Sequence, residues 1–474
     1  MARTESPGSL LDRQRAAFVR EGPVGAAARQ GRIQRVIDLL VQHNDELCAA
    51  MADDFGGRPL VFSMMNDILG SLGALKAARD HLPQWLADQP RPSVPPFDQF
   101  GATAWVKLQP KGVVGIIGTW NAPLFTLLAP LASVFAAGNR AVLKPSELAP
   151  RTAETLQRRV PEFFSPDELA VVTGGPEVAA EFSAQAWDHL VFTGSTEVGK
   201  LVMQAAARNL VPVTLELGGK SPVLVGRSAD IAMAAERIAV GKAQNSGQLC
   251  VSPDVVWVHE SQVEALVAAL QATYAGLYPK TGGNPDVVPV VNARHFERVE
   301  SYVADAAARG AQVVVAGGEP GRQAQAERRM PLRIVVKPPA DAVISQHEIF
   351  GPALVVQSYD QIRDAVGAIN QGPRPLALYY FGNDEAEQAW VLDHTLSGGV
   401  AINDVLMHAA LTEAPFGGVG SSGMGHYQGR EGFLAFSHVR SVYKAGGHDP
   451  RREWGMLPPY APHLEGMMRA AVTA

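Results

Sequence analysis

The stretch GVVGIIGTWNAPLFTLLAPLASVFAAGNRAVLKPSE, residues 112–147, decides the fold of this chain. A β-rich run, GVVGII (112–117), is followed by an apolar run long enough for a helix and then by a second β-rich run, RAVLKP (140–145). A strand, a helix and a strand in this order form a βαβ unit, which connects two parallel strands. The sequence therefore predicts a parallel sheet with a helix packed against it.

The same alternation continues towards the C-terminus. Further β-rich runs, with helical stretches between them, are LAVVTGG (169–175), HLVFTGS (189–195) and VPVTLELGG (211–219). A second series of strand candidates follows residue 250: DVVWVHE (254–260), AQVVVAGG (311–318), ALVVQSYD (353–360), LALYYFGN (376–383) and GGVAIND (398–404). We predict an α/β fold with two doubly wound parallel-sheet domains, a Rossmann-like cofactor domain and a catalytic domain, with Cys250 near their junction.

The N-terminal part of the chain is helical by the same reasoning. Residues 29–54 carry apolar side chains at helical spacing, which predicts an amphipathic helix with one buried face. Cys48 lies on that face, and we interpret it as a small buried core residue. The Pro-rich stretch QPRPSVPPFDQF (89–100) predicts an irregular connector between the helical region and the first sheet.

Composition and charge exclude several classes of protein. The 474 residues include 41 Lys and Arg against 47 Asp and Glu, a net charge of −6, without a dense basic run, so nucleic acid and membrane are poor candidates as partners. The N-terminus lacks the apolar core of a signal peptide, and the most apolar run (125–138) is short and contains Pro130. Two cysteines do not make a disulfide framework, which favours a reducing, cytoplasmic location.

Turns after predicted strands are the expected ligand sites, because open α/β sheets bind ligands at the carboxyl ends of their strands. In FTGSTEVGK (192–200), Gly194 and Ser195 precede a predicted helix whose free N–H groups can face a pyrophosphate, although the same residues also cap ordinary helices. In AVLKPSE (141–147), Lys144 and Glu147 are candidates for binding ribose hydroxyls, and solvated surface charges are the alternative.

Three further side chains are candidates for catalysis. Asn121, in GTWNAP (118–123), offers an amide donor for an oxyanion, or bonds its own turn. Glu216, in LELGGKSP (215–222), lies between two leucines and is either a solvent-facing strand residue or a tuned acid/base group. Cys250, in NSGQLCVSP (245–253), is either a core residue or a nucleophile.

The ordered set of motifs resembles one known family. GTWNAP, VLKPSE, FTGSTEVG, LELGGKSP, GQLC and EIFGP follow in this order, and Glu216 precedes Cys250 by 34 residues. This set resembles the NAD(P)-dependent aldehyde dehydrogenase superfamily over residues 10–445. INDVLMHAA (402–410) and PFGGVGSSGMGHYQGREGFLAFSH (415–438) are similar to its class 3 and coniferyl aldehyde dehydrogenase branch, and AAGNRAVLKPSE (136–147) and CVSPDVVWV (250–258) to the coniferyl type.

The resemblance implies a role for each candidate. Cys250 would attack the aldehyde, Asn121 and the Cys250 backbone N–H would hold the oxyanion, and Glu216 would activate water to hydrolyse the thioester. NAD would be the cofactor, with NADP as an alternative, since a glutamate at position 147 accepts ribose hydroxyls and repels a 2′-phosphate. No metal is implied. The cofactor residues implied by the resemblance are Gly118, Thr119, Trp120, Lys144, Glu147, Gly174, Phe192, Thr193, Gly194, Ser195, Val198, Leu217, Glu348 and Phe350.

The resemblance also implies a domain arrangement and a homodimer. Residues 1–97 and 111–216 would form the NAD-binding domain, 217–427 the catalytic domain, 98–110 and 428–445 a small β oligomerisation arm, and 446–474 a C-terminal tail. This tail would fold over a pocket, fold over a partner subunit, or be an ordinary surface tail. No hydrophobic C-terminal anchor of the class 3 membrane-bound type is present. The alternatives are a coenzyme A-acylating relative, whose members typically lack the glutamate base, and a non-enzymatic family member used as a binding or structural protein.

Three positions depart from the family pattern. Ala122 replaces the usual aromatic residue after the asparagine, which predicts a wider or differently shaped pocket near the thiol. His347 replaces a common acidic residue, and Gln428 stands where the branch often has histidine. The substrate expected from the branch is an aromatic, phenylpropanoid aldehyde, with medium-chain aliphatic aldehydes as the alternative.

Overall fold

A computed structural model describes residues 5–318 and 321–472. Within these ranges no helix is both long and apolar enough to cross a membrane. The ends of the predicted N-terminal domain and C-terminal tail, residues 1–4 and 473–474, lie outside the described residues.

The helices of the described chain are, in order, α1 (Pro7–Glu21), α2 (Ala26–Phe55), α3 (Leu60–Ser63), α4 (Gly70–Trp85), α5 (Phe125–Ala136), α6 (Pro150–Arg159), α7 (Pro176–Ser183), α8 (Thr196–Ala207), α9 (Ile231–Ala243), α10 (Val263–Leu277), α11 (Ala293–Ala308), α12 (Arg322–Ala326), α13 (Val343–Gln346), α14 (Ile362–Gln371), α15 (Glu385–His394), α16 (Gly429–Ala435) and α17 (Leu464–Ala471). One turn of π-helix, Met64–Leu69, joins α3 to α4.

The strands are β1 (Gln89–Arg91), β2 (Thr103–Pro110), β3 (Val113–Ile117), β4 (Arg140–Lys144), β5 (Leu169–Val171), β6 (His189–Thr193), β7 (Val213–Glu216), β8 (Pro222–Val225), β9 (Val255–His259), β10 (Gln312–Ala316), β11 (Leu332–Val336), β12 (Ala353–Tyr359), β13 (Ala377–Phe381), β14 (Gly399–Ile402), β15 (Gly423–Met424) and β16 (Ser437–Lys444).

The first sheet has the strand order β15-β7-β6-β3-β4-β5, with every pair parallel except β15 and β7. The stretch that opened the sequence argument forms β3, α5 and β4, and β3 pairs in parallel with β4. All residues of β3 and β4 are buried, and α5 is buried along nearly its whole length. The predicted βαβ unit is therefore the centre of this sheet.

The second sheet has the order β10-β11-β12-β9-β8-β13-β14, parallel except at β10, which pairs antiparallel with β11. These two sheets confirm the predicted α/β class. Two strands of the second sheet, Pro222–Val225 and Leu332–Val336, were not among the predicted runs. Both strands are short. Pro222–Val225 begins six residues after β7 ends, so no helix separates this strand from β7.

A third, antiparallel sheet of order β1-β2-β16 stands apart from the other two. It includes residues 89–91, which were predicted to be an irregular connector, because they pair with residues 104–106. Residues 429–435 of the predicted arm instead form α16, which contacts α4 and α5. In the tail, Trp454 packs against Phe97 and Phe100, with ring centroids 6.1 and 5.4 Å apart.

Candidate active site

A cavity of about 760 Å³ lies at the carboxyl ends of the strands, between the first and second sheets. Its lining is mostly apolar, with a few convergent polar groups, as expected of a small-molecule site. Predicted site residues in its wall are Thr119, Trp120, Asn121, Thr193, Gly194, Ser195, Glu216, Leu217, Cys250, Glu348 and Phe350. The three catalytic candidates, which are far apart in sequence, thus meet in one cavity.

Cys250 follows a tight loop with an unusual backbone. Asn245, Ser246 and Gly247 have φ values of 49°, 52° and 70°, three successive residues in the left-handed region. Such conformations cost free energy in non-glycine residues and persist only where the surroundings enforce them. A Cβ at Gly247 would collide with the backbone carbonyl of Gly351, so this position requires glycine.

Side-chain hydrogen bonds hold this loop in place. The Gln248 amide donates to the carbonyls of Asn245 (2.9 Å) and Pro289 (3.1 Å) and accepts from the Val291 N–H (3.0 Å). The Ser246 hydroxyl donates to the Val288 carbonyl at 2.5 Å. The segment before the cysteine is therefore rigid, which fixes the direction of the thiol.

The Cys250 side chain is half-buried and packs against the main hydrophobic core. Burial, and secondly the carboxylates of Glu348 and Glu216, raise its pKa to about 12, and hydrogen bonds from the Cys250 and Val251 backbone N–H groups oppose the rise. The thiol is therefore protonated at neutral pH in the free protein. It needs a base or a nearby positive charge to become a nucleophile.

Asn121 lies at the end of β3 and is 5 % exposed. Its side-chain amide donates to the Gln248 carbonyl at 3.0 Å, and its carbonyl oxygen accepts from the Thr119 hydroxyl. The Asn245 amide in turn donates to the Asn121 backbone carbonyl at 3.1 Å. These bonds tie Asn121 to the cysteine loop, so its amide has a fixed position in the same cavity as the thiol.

Glu216 ends β7 and is 1 % exposed. Neither carboxyl oxygen has a hydrogen-bond partner among the described residues, and burial raises its pKa well above the ordinary value. A buried carboxyl without partners is costly, and such groups concentrate at functional sites. Burial therefore favours the protonated form of this carboxyl group more than water does.

Glu348 lies beside Gly218, where a Cβ would collide with the carboxyl group, and it accepts a hydrogen bond from the Gly219 N–H. Burial, then Asp254, raise its pKa to about 8. The loop that carries Glu348 is held by Lys220, which pairs with Asp254 and donates to the Ile344 and His347 carbonyls at 2.8 and 3.0 Å.

The remaining cofactor candidates extend along the carboxyl edge of the first sheet. Lys144 is buried at the end of β4, and its ammonium lies 3.4 Å from a carboxylate oxygen of the exposed Glu147. Burial lowers the pKa of Lys144. Gly118, Gly174 and Phe192 follow or end β3, β5 and β6, and Val198 is half-exposed in the first turn of α8, where its N–H donates to the Ser195 hydroxyl at 3.4 Å.

Several wall residues were not predicted from the sequence. His295 and Arg298 project from α11, where the His295 ring lies 5.2 Å from Trp120 and the Arg298 guanidinium donates to the Phe350 carbonyl at 3.2 Å. Their spacing of three residues on a helix was the available signal, because it places both on one face. The other cavity walls come from residues 62–70, 237–244, 404–410, Phe416 and Tyr427.

The chain is similar to known proteins of one family. The model of the aldehyde dehydrogenase family matches residues 9–442. The chain is 48% identical to a probable coniferyl aldehyde dehydrogenase of Caulobacter vibrioides, over 95% of this chain and 93% of that protein. It is 43% identical to a coniferyl aldehyde dehydrogenase of a Pseudomonas species, over 92% and 90% of the two chains.

A solved structure shows the same fold. The indole-3-acetaldehyde dehydrogenase of P. syringae, determined in complex with NAD+ and IAA, superposes with a TM-score of 0.84 at 28% identity, covering 93% of this chain and 88% of that one. The predicted family and fold are confirmed. The chain therefore belongs to the aldehyde dehydrogenase family, and it is an oxidoreductase that oxidises an aldehyde with NAD(P) as the hydride acceptor.

Proposed function

We propose that Cys250, Asn121 and Glu216 are the nucleophile, the oxyanion donor and the general base of a hydrolytic aldehyde oxidation. The observation that carries this proposal is their convergence in one cavity, with a rigid cysteine loop and a buried, unpartnered carboxyl group.

The first half of the reaction forms a covalent bond to sulfur. The Cys250 thiol loses its proton to Glu216 or water, and its sulfur attacks the aldehyde carbon to give a tetrahedral thiohemiacetal. The Asn121 amide donates one N–H to Gln248 and has a second for the oxyanion, together with the Cys250 backbone N–H. As the C–O double bond reforms, the hydride leaves and a thioester on Cys250 remains.

The second half releases the acid. Glu216 takes a proton from water, the water oxygen attacks the thioester carbon, and the carboxylic acid leaves as the sulfur regains a proton. A coenzyme A-acylating reaction would not need this base, so the buried carboxyl group favours hydrolysis.

NAD, when bound, supplies the hydride acceptor, and the residues present fit it. We assign the Glu348 carboxyl group, which lies against Gly218, to the nicotinamide ribose, and the N-terminus of α8 after Ser195 suits a pyrophosphate. We assign Lys144 and Glu147, whose charged atoms lie 3.4 Å apart after β4, to the adenosine ribose. Gly118, Thr119, Trp120, Gly174, Phe192, Thr193, Val198, Leu217 and Phe350 complete this proposed surface.

An assay with a panel of aromatic and aliphatic aldehydes tests the function. We expect reduced nicotinamide and the carboxylic acid to form in equal amounts with NAD and without coenzyme A. A strict requirement for coenzyme A would replace the hydrolytic reaction by the acylating one. No turnover of any aldehyde would favour a binding or structural role instead.

The Glu147→Gln variant tests the preference for NAD over NADP. We expect kcat/KM for NADP to rise about tenfold, because removing a negative charge beside the 2′-phosphate corresponds to roughly 1.4 kcal/mol. We expect KM for NAD to rise a few-fold as the ribose loses a charged acceptor. Steady-state kinetics with both cofactors measure the change.

Glu154→Gln is the matched control. Glu154 also pairs with a cation three residues away at 3.4 Å, Arg151, but it lies on α6 and not in the turn after β4 that carries Glu147. This variant should retain the wild-type ratio of the two cofactors. An unchanged ratio in Glu147→Gln as well would refute the assignment of Glu147 to the ribose.

We propose an aromatic aldehyde of the coniferyl type as the substrate, because two relatives carry that name and the cavity wall beside Asn121 is a small residue, Ala122. In an Ala122→Phe variant, kcat/KM for coniferyl aldehyde should fall at least about tenfold, since overpacking a filled site costs about 1–3 kcal/mol. Propanal should be oxidised nearly as before.

The same substitution at Ala410, an exposed residue at the cavity wall, is the control and should change the selectivity much less. If Ala122→Phe left the ratio of kcat/KM for coniferyl aldehyde to kcat/KM for propanal unchanged, the aromatic substrate would not contact this residue. A preference of the wild type for medium-chain aliphatic aldehydes would support the alternative substrate class.

We also propose the homodimer, the domain boundaries stated above and a cytoplasmic location. Val439 and Tyr443 on β16 are 54% and 51% exposed, which supplies apolar surface for a partner subunit on the arm. Both cysteines are free thiols, which favours a reducing compartment. Sedimentation at micromolar concentration measures the oligomeric state.

A further inference from the structure

A fully buried ion pair lies behind the cavity wall. Arg58 and Asp67 have 0% exposed side chains, and their nitrogen and oxygen atoms are 2.8 Å apart. Burying two charges is expensive, and a pair of apolar residues often gives equal stability. The pair therefore invites a functional explanation, and none of the roles proposed above uses it.

Asp67 connects two parts of the site. One carboxylate oxygen accepts hydrogen bonds from the Leu124 and Phe125 N–H groups at 3.0 and 3.2 Å, at the start of α5. The other accepts from Arg58 and from the Asn66 amide, at 2.8 and 3.1 Å. These N–H groups lie only three and four residues after Asn121, so the carboxylate fixes the end of the loop that holds this asparagine.

Arg58 is fixed in turn by the end of α2. Its guanidinium lies over the rings of Phe55 and Phe62, at 5.0 and 4.8 Å from their centroids, and its Nη1 donates to the Met51 sulfur at 3.4 Å. Both aromatic contacts are cation–π interactions in a buried site, where they are strongest. Through Arg58, the carboxylate of Asp67 is thereby held in a fixed position relative to the end of α2.

Asp67 also lies within the π-helical turn Met64–Leu69. Its neighbours Met65 and Asn66 line the cavity, as does Phe125, the first residue of α5. A π-helical turn is rare and is found mainly at functional sites. The ion pair therefore joins a wall of the substrate cavity to the loop of the proposed oxyanion donor.

We propose that Asp67 is a positioning residue for Asn121. Asp67 acts by capping α5, and Arg58 in turn holds Asp67. This inference rests on the proposed role of Asn121 as oxyanion donor. Asp67 touches neither the aldehyde nor the cofactor in this proposal. Because its hydrogen bonds reach Leu124 and Phe125, on the opposite side of Asn121 from the proposed cofactor residues 118–120, we expect its effect on turnover and on selectivity among aldehydes to exceed its effect on NAD binding.

Two double variants that both remove the buried charges distinguish loss of the α5 cap from a general loss of stability. Arg58→Met with Asp67→Leu removes the charges and the acceptor of the Leu124 and Phe125 N–H groups. Arg58→Met with Asp67→Asn also removes the charges, but the asparagine carbonyl still accepts from these groups. Neither variant leaves an unpaired buried charge.

We expect kcat to fall at least about tenfold in the leucine variant and less than about threefold in the asparagine variant. In the leucine variant, the ratio of kcat/KM for coniferyl aldehyde to that for propanal should also change. The dissociation constant of NAD, measured by calorimetry, should stay within about twofold of wild type in both. Equal kcat in the two variants, at matched circular dichroism, would overturn the proposal.

If the leucine variant does not fold, Asp67→Glu gives the test in the wild-type background. The longer side chain keeps the charge but moves the carboxylate by one methylene, so turnover should fall at least about fivefold with NAD affinity unchanged. Wild-type turnover in Asp67→Glu would then overturn the proposal. Asn121→Ala distinguishes failure of the positioning proposal from failure of the proposed function. Undiminished turnover in Asn121→Ala would refute the oxyanion role of Asn121, independently of the result for Asp67.

Discussion

Replacing Cys250 by alanine should abolish aldehyde oxidation, with kcat lowered by about 10⁴-fold or more, since no other residue in the described cavity wall carries a thiol. NAD should still bind, because the proposed cofactor contacts lie on the first sheet and at Glu348. Formation of reduced nicotinamide under saturating aldehyde and NAD measures the first effect. Calorimetric titration with NAD measures the second.

Cys48 provides the matched control, since it is the only other cysteine of the chain. It is 1% exposed in α2, and burial raises its pKa to about 11. Cys48→Ala should retain wild-type kcat and lose about 1–2 kcal/mol of unfolding free energy through a small cavity. Activity that survived Cys250→Ala, or vanished in Cys48→Ala, would contradict the assignment of the nucleophile.

The contrast between these cysteines shows what could be predicted from the sequence. Cys48 lies on the apolar face of a periodic helix, and local pattern alone places it in the core. Cys250 has no such periodic context, and its proposed role is implied only by the family resemblance, to which the surrounding motifs and the separation from Glu216 contribute. The alternation of strands and helices likewise predicted the fold class, because hydrophobic periodicity is a local property.

The remaining parts of the site depend on contacts between distant segments. Asp67 reaches Leu124 across 57 residues, and Gln248 reaches Val291 across 43, through hydrogen bonds that no local pattern indicates. The left-handed backbone at Asn245 and Ser246 is held by such contacts; asparagine tolerates this conformation better than most residues, whereas serine rarely adopts it. Sequence patterns therefore indicated the candidate reacting groups that meet in one cavity, but not the side chains that hold them.

The acidic groups of the cavity also act on one another in a way that only the structure reveals. Burial raises the pKa of Cys250, Glu216 and Glu348, and the two carboxylates further raise that of the thiol. Because like charges in a desolvated cavity disfavour each other, full ionisation of the three groups at neutral pH is unfavourable. A proton can therefore pass from the thiol to Glu216 without a change in the total charge of the cavity.

This arrangement leads to a specific expectation for Glu216→Gln. The steady-state kcat should fall by about 10²–10⁴-fold, the usual contribution of a general base. A burst of up to one equivalent of reduced nicotinamide per site should precede the slow phase, because water can still take the thiol proton and let the thioester form, whereas hydrolysis of the thioester lacks its base. Rapid-mixing absorbance measurements resolve the burst from the steady state.

The pH dependence follows from the sign of the pKa shift. A general base acts when deprotonated, and burial raises the pKa of Glu216, so wild-type kcat should increase with pH at values above the range in which an ordinary glutamate titrates. This rise should be absent or much weaker in Glu216→Gln. Hydroxylamine, which attacks a thioester without a general base, should restore part of the turnover in the variant and yield the hydroxamate.

Glu348→Gln is the control for charge in the same cavity. It removes a second carboxyl group with a raised pKa, but one that lies against Gly218 where the nicotinamide ribose is proposed to bind. That variant should raise KM for NAD and show no burst, since hydrolysis keeps its base. A Glu216→Gln variant with linear kinetics at the wild-type rate would show that water is activated by another group, and the unpartnered carboxyl of β7 would then need a different explanation.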